Sequence, residues 1–243
     1  MTVVSDIICF LRSTLMHAVL AITAFIPGCY TPLLIFLPLK FSAPAILIWC
    51  KIAVYLTGVI CGIRVKLLGN LKKTPTPCVI VCNHQCFFET MYLQVLLHPL
   101  STVLKKSLLR IPFFGWGLAI LRPIAIDRSA PLQSLKQIKE NGVKRLQQGR
   151  NILIFPEGTR RPVGQLGDYM RSAADIAKRA KVPIIAIAHD SGKYWRNGKY
   201  NKRPGTIHMV ISEPIVVDDR DTKETMISIQ HWTQQQLDSM EQR

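Results

Sequence analysis

The chain has 243 residues, of which 49 % are apolar, and carries 31 Lys and Arg against 15 Asp and Glu, a formal charge of +16 at pH 7. That length holds one large domain or a domain with an appendage, and the charge calls for an anionic partner: nucleic acid, lipid headgroups, or an acidic substrate or carrier. Nucleic acid fits poorly, because the basic residues are scattered and no zinc-finger or RNP-type signature occurs.

Cys9, Cys29, Cys50, Cys61, Cys78, Cys82 and Cys86 are odd in number and mostly lie in apolar sequence. This argues against a disulfide framework and for a reducing compartment on the catalytic side. Cys78, Cys82 and Cys86 recur every fourth residue, but structural zinc usually shows two close pairs, so no metal is expected.

The first element is apolar. Residues 13–39 contain no Asp, Glu, Lys or Arg, and residues 43–63 contain only Lys51. Each run is long enough to cross a bilayer. Residues 6–63 are expected to form two apolar helical elements, spanning as a hairpin or embedded from one face; the alternative is a buried helical pair of a soluble domain. Pro27, Pro32 and Pro38 are expected to kink or break the first helix. A signal peptide fits poorly, since the apolar part is too long and is followed by more apolar sequence. Arg64, Lys66, Lys72 and Lys73 place the rest of the chain on the cytoplasmic side. The expected division is a membrane-anchoring element, 1–66, and an α/β domain, 67–243.

Beyond residue 70 short apolar runs predict strands at 78–82, 102–104, 123–126, 151–155, 183–188 and 206–211. Helices are predicted at 89–98, 131–148, 168–181 and 221–243. The alternation predicts an α/β fold with a central, mostly parallel sheet flanked by helices, whose ligands gather at the carboxyl ends of strands. Residues 193–204, basic and aromatic, read as a loop near membrane or substrate.

Two runs carry chemistry. Asn83-His84-Gln85-Cys86-Phe87-Phe88-Glu89 puts a histidine and a carboxylate five positions apart, just after a predicted strand. Five residues on a helix turn about 140°, so the two meet only if His84 lies in the strand-to-helix turn and Glu89 in the first helical turn. So placed, His84 is a general base and Glu89 fixes its tautomer. Two alternatives stand beside this: capping residues at a helix start, and Cys86 as a covalent nucleophile beside His84. No Gly-x-Ser-x-Gly elbow occurs, so a substrate hydroxyl is the expected attacking group. In the second run, Phe155-Pro156-Glu157-Gly158-Thr159-Arg160, Gly158 permits a tight turn with outward N–H groups, Thr159 adds a hydroxyl and Arg160 a fork-shaped cation suited to phosphate. Glu157 is expected to hold that cation or meet a substrate hydroxyl. The plain alternative is a strand-exit turn with a surface arginine. Lys105 and Arg128, each at a predicted strand end, are candidates to join it, with Asp127 beside Arg128 as a possible ion-pair partner.

Together these runs resemble the glycerolipid acyltransferase family, in particular its bacterial members acting on 1-acyl-sn-glycerol 3-phosphate. The matching blocks are residues 83–89, 122–128, 155–160 and 182–188, in that order, and 105–116 and 191–207 are also similar. The resemblance covers roughly residues 70–215. It implies that His84 deprotonates the sn-2 hydroxyl of lysophosphatidate, which attacks the thioester of acyl-carrier protein or coenzyme A. It implies that Glu89 orients His84, and that Lys105, Arg128 and the turn of Glu157, Gly158, Thr159 and Arg160 hold the glycerol phosphate. It further implies no metal or redox cofactor, a bacterial inner-membrane location with the catalytic part facing the cytoplasm, and phosphatidic acid as product. The chain departs from the family pattern in Glu89 for the commoner Asp, Cys86 where serine is frequent, Arg171-Ser172-Ala173-Ala174 where Gly-Gly-Ala is common, and Ala186 where proline is usual.

Overall fold

The structure is a computed structural model that describes residues 3–34, 36–217 and 221–242. Residue 35, inside the expected two-helix element, and Arg243, at the end of the expected last helix, lie outside the described residues. Two long helices, α1 (Val3–Leu34) and α2 (Leu39–Cys61), come first. Of the kink or break expected at Pro27 and Pro32, the break does not occur: the backbone stays helical to Leu34, because a proline removes only one rung of the ladder and the rungs around it persist. Pro38 does sit at a boundary, capping α2, and Gly62 ends that helix in the left-handed region at φ 68°.

Seven strands follow: β1 (Ile63–Leu68), β2 (Val79–Cys82), β3 (Leu100–Lys105), β4 (Ile124–Ile126), β5 (Asn151–Ile154), β6 (Ile184–His189) and β7 (Gly205–Ile211). They form one sheet in the order β1-β7-β6-β2-β5-β3-β4. Every pairing is parallel except β6 with β7. The helices α3 (Phe88–Leu96), α4 (Phe114–Ile120), α5 (Pro131–Gln147), α6 (Ser172–Ala180) and α7 (Thr222–Glu241) fill the connections and the C-terminus.

The central strands are apolar at every position because both faces are covered. Val79 and Val81 of β2 look to one side, into a core with Ile152, Ile154, Ile184, Ala186 and residues of α5, α6 and α7. Ile80 and Cys82 look to the other, with Leu153, Ile185, Ile187 and Leu93 of α3. The period-2 alternation thus divides one strand between two cores. A third cluster joins the apolar helices to the rest: Met16, Ala53 and Cys61 pack with Phe88, Met91 and Trp195. The strand order reverses around β2, which lies between β5 and β6, so the carboxyl ends of these three strands form the crevice where such sheets bind ligands.

The six strands and four helices expected from residue 70 onward are present, with ends shifted by a few residues. Two elements lie outside the expectations. β1 follows directly on α2, so its alternation Ile63-Arg64-Val65-Lys66-Leu67 is masked by the apolar run before it. α4 is seven residues long and contains Gly115 and Gly117, which weaken any helix signal.

α5 and α6 meet at Gly142, where a Cβ would lie 2.9 Å from Ile176 Cδ1 and 3.2 Å from its Cγ2. Gly142→Leu is therefore expected to overpack this contact and cost about 1–3 kcal/mol. A lowered thermal midpoint of the purified protein checks it, and a midpoint equal to wild type contradicts the packing described.

Candidate active site

His84 lies in the turn just beyond β2, and Glu89 lies in the first turn of α3. The placement that the pairing requires is therefore met. His84 Nδ1 is 2.8 Å from Glu89 Oε1. A carboxylate only accepts, so Nδ1 carries the proton and Nε2 keeps its lone pair. The imidazole stacks on Phe155, with ring centroids 4.0 Å apart, and is 14 % exposed.

Glu89 is fully buried. Its Oε1 also accepts from the N–H groups of Gln85 and Cys86, at 2.9 and 2.8 Å. Its Oε2 accepts from Cys86 N at 3.1 Å, from the Cys86 thiol, and from the Ser191 hydroxyl at 3.0 Å. Burial alone would push this carboxyl up. The bond to His84, the fields of His189 and His84, and the Cys86 contact outweigh it and hold the group at about 2. Glu89 is thus ionised at neutral pH. Cys86 is the reverse case: burial and the neighbouring Glu89 push its thiol well up, which removes the thiolate a nucleophile needs. Its Sγ faces Glu89, whereas that of Cys78 faces Asn151.

His84 opens onto a cavity of about 440 Å³, a size suited to a bound small molecule. Of the expected phosphate-binding residues, Lys105, Arg128, Gly158, Thr159 and Arg160 all line it. Gly158 has φ 67°, a conformation that a side chain disfavours, and its N–H closes the turn onto Phe155 O at 3.0 Å. Arg160 is exposed and reaches Asn197 Oδ1 at 3.3 Å.

Glu157 is the exception. It is buried and off the cavity wall, with Oε1 accepting from His84 N at 2.8 Å and Oε2 from Gly167 N at 3.0 Å. Its closest cation is Arg161, at 4.0 Å, and not Arg160. The expectation that Glu157 holds Arg160 is not met: two buried N–H groups need an acceptor there, and the carboxylate supplies it. Asp127 likewise bonds Ser129, at 3.0 Å to its N and 2.6 Å to its Oγ, and leaves Arg128 to the cavity.

The other walls are mostly apolar. Ala24, Gly28 and Thr31 of α1 and Ile46, Trp49 and Cys50 of α2 contribute, as do Phe87 just before α3, Met91 of α3, and Phe114, Gly117 and Leu118 of α4. Gly28 is required because a Cβ would collide with Phe113. Of the departures from the family pattern, Ser172 lines the cavity, whereas Ala186 packs in the sheet core. The 193–204 loop packs on α1, with Lys202 N on Ser13 Oγ at 2.8 Å and Lys202 Nζ on His17 Nε2 at 2.7 Å.

Sequence reasoning missed the turn after β6. Asn83 Nδ2 donates to His189 O at 2.9 Å, His189 N donates to Asn83 Oδ1 at 3.0 Å, and Gly192 N donates to Gln85 Oε1 at 2.9 Å. These partners are over a hundred residues apart in sequence, and no local signal joins them.

Comparison with known proteins places this geometry. The Acyltransferase family profile matches residues 63–190. The 1-acyl-sn-glycerol-3-phosphate acyltransferase of Pseudomonas aeruginosa is 48 % identical over 163 residues, which are 67 % of this chain and 63 % of that protein. The chloroplastic 1-acyl-sn-glycerol-3-phosphate acyltransferase BAT2 of Brassica napus is 28 % identical over 170 residues, 69 % of this chain and 48 % of that protein. The chain thus spans between about half and two thirds of the length of these relatives. The crystal structure of the 1-acyl-sn-glycerophosphate acyltransferase PlsC of Thermotoga maritima shares the fold, with a TM-score of 0.76 and 17 % identity over 99 % of this chain and 98 % of that one. Since the profile takes in more than half of the chain, from β1 through the exit of β6 and with both halves of the crevice inside it, the chain belongs to the acyltransferase family.

Proposed function

We propose that the protein transfers a fatty acyl group from an acyl thioester to the sn-2 hydroxyl of 1-acyl-sn-glycerol 3-phosphate, forming phosphatidic acid for phospholipid synthesis. One observation carries this reading: a histidine with its Nδ1 committed to a buried carboxylate lines a cavity that is cationic at Lys105, Arg128 and Arg160 and mostly apolar elsewhere. The names of the relatives agree with it.

In this reading Lys105, Arg128 and Arg160, with Thr159 in the turn that Gly158 permits, grip the phosphate of the lysolipid and bring its free hydroxyl to His84 Nε2. His84 takes the hydroxyl proton as the oxygen attacks the thioester carbonyl. The tetrahedral intermediate collapses, the C–S bond breaks, and the leaving thiolate takes the proton back from the imidazolium. Glu89 stabilises that transient positive charge and fixes the tautomer that receives the proton. No electrons change hands, so the step calls for no redox partner.

The donor is the thioester of acyl-carrier protein or coenzyme A, and the apolar cavity wall accommodates a long acyl chain. α1 and α2 are each long and apolar enough to cross a membrane. Their outward faces expose Ile7, Leu11, Leu15, Phe25, Ile48, Ile52 and Tyr55, an apolar surface that suits lipid. The protein works at the cytoplasmic face of a bacterial inner membrane, with residues 1–66 as the anchoring element and 67–243 as the catalytic part.

Three measurements test this. His84→Ala is expected to abolish acyl transfer to lysophosphatidate while the protein still sediments with phospholipid vesicles; transfer at the wild-type rate rules the mechanism out. Arg160→Ala is expected to raise the acceptor KM roughly tenfold and the donor KM far less, as loss of one charge-assisted phosphate contact implies. Equal rises would move the phosphate elsewhere, and glycerol 3-phosphate run alongside tests the acceptor. The third is pH dependence. The Glu89 carboxyl is held at about 2, below its ordinary 4.5, so its stabilisation is present above pH 4.5 and is lost as pH falls towards 2. Thermal midpoints should fall over that window, and more steeply in wild type than in Glu89→Gln.

A further inference from the structure

The turn after β6, His189-Asp190-Ser191-Gly192, takes no part in proton transfer, yet it is knitted to the turn that holds His84. Asn83 pairs with His189, Gln85 with Gly192, and Glu89 with Ser191. His189 is fully buried, and burial pushes its imidazole down towards the neutral form. Its Nε2 donates to Asn83 O at 2.8 Å, and its Nδ1 lies 3.4 Å from Ser191 N as acceptor. Ser191 is itself fully buried, so its hydroxyl is held in place from both sides.

The two oxygens of Glu89 have different tasks. Oε1 must face His84 Nδ1. The terminal torsion of a glutamate is broad and roughly two-fold, so Oε1 keeps its place only if Oε2 is anchored. Among the described residues Oε2 has three donors: a long contact to Cys86 N, which Oε1 shares, the Cys86 thiol, and the Ser191 hydroxyl. A thiol is a weak donor, whereas a hydroxyl on a carboxylate is a charge-assisted one. Among the described residues Ser191 is also the one donor to Glu89 from outside residues 84–89.

We infer that Ser191 is a positioning residue for acyl transfer: by donating to Glu89 Oε2 it fixes the carboxylate so that Oε1 aligns His84 for proton abstraction. The inference rests on the reading of His84 and Glu89 as base and orienter. It also gives Glu89 and Cys86 a common meaning. The longer glutamate places its second oxygen within reach of the β6 turn, and the weaker thiol at 86 leaves the anchoring to Ser191.

The test uses the full chain in detergent micelles, with lysophosphatidate and a long-chain acyl-coenzyme A, and measures kcat and both KM values. Ser191→Ala is expected to lower kcat roughly ten- to a hundredfold, the range for one hydrogen bond to a charged group, with both KM values changed by less than about twofold. Cys86 Sγ lies 3.2 Å from Ser191 Oγ, so a hydroxyl at position 86 can serve the same oxygen. Cys86→Ser added to Ser191→Ala should restore kcat at least about threefold, which a purely structural loss would not permit. In a Glu89→Gln background Ser191→Ala should cost less than about twofold more, because the anchored charge is already gone. Should Ser191→Ala not fold, Ser191→Cys keeps the shape with a weaker donor and should lower kcat by about threefold or more. Wild-type kcat in the folded serine variant, an undiminished loss on Glu89→Gln, or a loss confined to KM overturns the inference. His84→Ala separates the two layers: if it is active the dyad reading falls, and if it is inactive beside a fully active Ser191→Ala only the role of Ser191 falls.

Discussion

A charged carboxylate with no exposure is the constraint around which the site is built. Glu89 would be neutral in an apolar interior, and a neutral acid cannot hold imidazolium. It stays ionised because the 83–89 turn aims two backbone N–H groups at it, because His84 donates to it, and because it stands in the first turn of α3, where the helix dipole favours negative charge. Each of these needs the one before it. The N–H groups converge only in a tight exit from β2, and that exit is fixed by β2 lying between β5 and β6. The capping alternative is met only in part: Phe87 caps α3 without a side-chain bond, His84 lies ahead of the helix, and Glu89 alone stands in its first turn.

Much of this was legible in the residues, and the gaps have physical causes. The exit turns of β2 and β5 announce themselves, because a buried parallel strand is an unbroken apolar run and the polar residues that end it stand out, as at Asn83 and Glu157. Helical geometry gave the condition for His84 and Glu89 to meet, a histidine in the turn and a carboxylate in the first helical turn, and the resemblance chose this over the capping alternative. What stayed hidden is non-local. Ser191 meets Glu89 only because β6 folds beside β2, and Glu157 turns inward only because His84 N and Gly167 N have no other acceptor. A sequence shows that Glu157 is acidic and next to Gly158, and it does not show which side of the turn the carboxylate takes. β1 is hidden for a different reason: an edge strand with alternating polarity loses its contrast when it directly follows a 23-residue apolar helix.

The apolar helices help to build the site. Ala24, Gly28 and Thr31 of α1 and Ile46, Trp49 and Cys50 of α2 line the same cavity as His84, so the enclosure depends on both parts of the chain. One side of α1 meets α2 and α4, and the other exposes Ile7, Leu11 and Leu15, an apolar surface compatible with lipid. The ring contact between Phe25 and Phe113, at 4.8 Å, and the absence of a side chain at Gly28 let the Pro112-Phe113-Phe114 bend press directly on α1.

The charge of the chain takes on meaning at the same place. Both acids of the site, Glu89 and Glu157, are spent on buried donors and turn away from the cavity, and Asp127 is occupied by Ser129. The side chains of Lys105, Arg128 and Arg160 stay exposed on the cavity wall. The charge of Glu89 lies behind the imidazole of His84, away from those cations. Turned inward, Glu157 holds the backbone of His84 and Gly167, and Arg160 is left to reach Asn197 at the cavity wall.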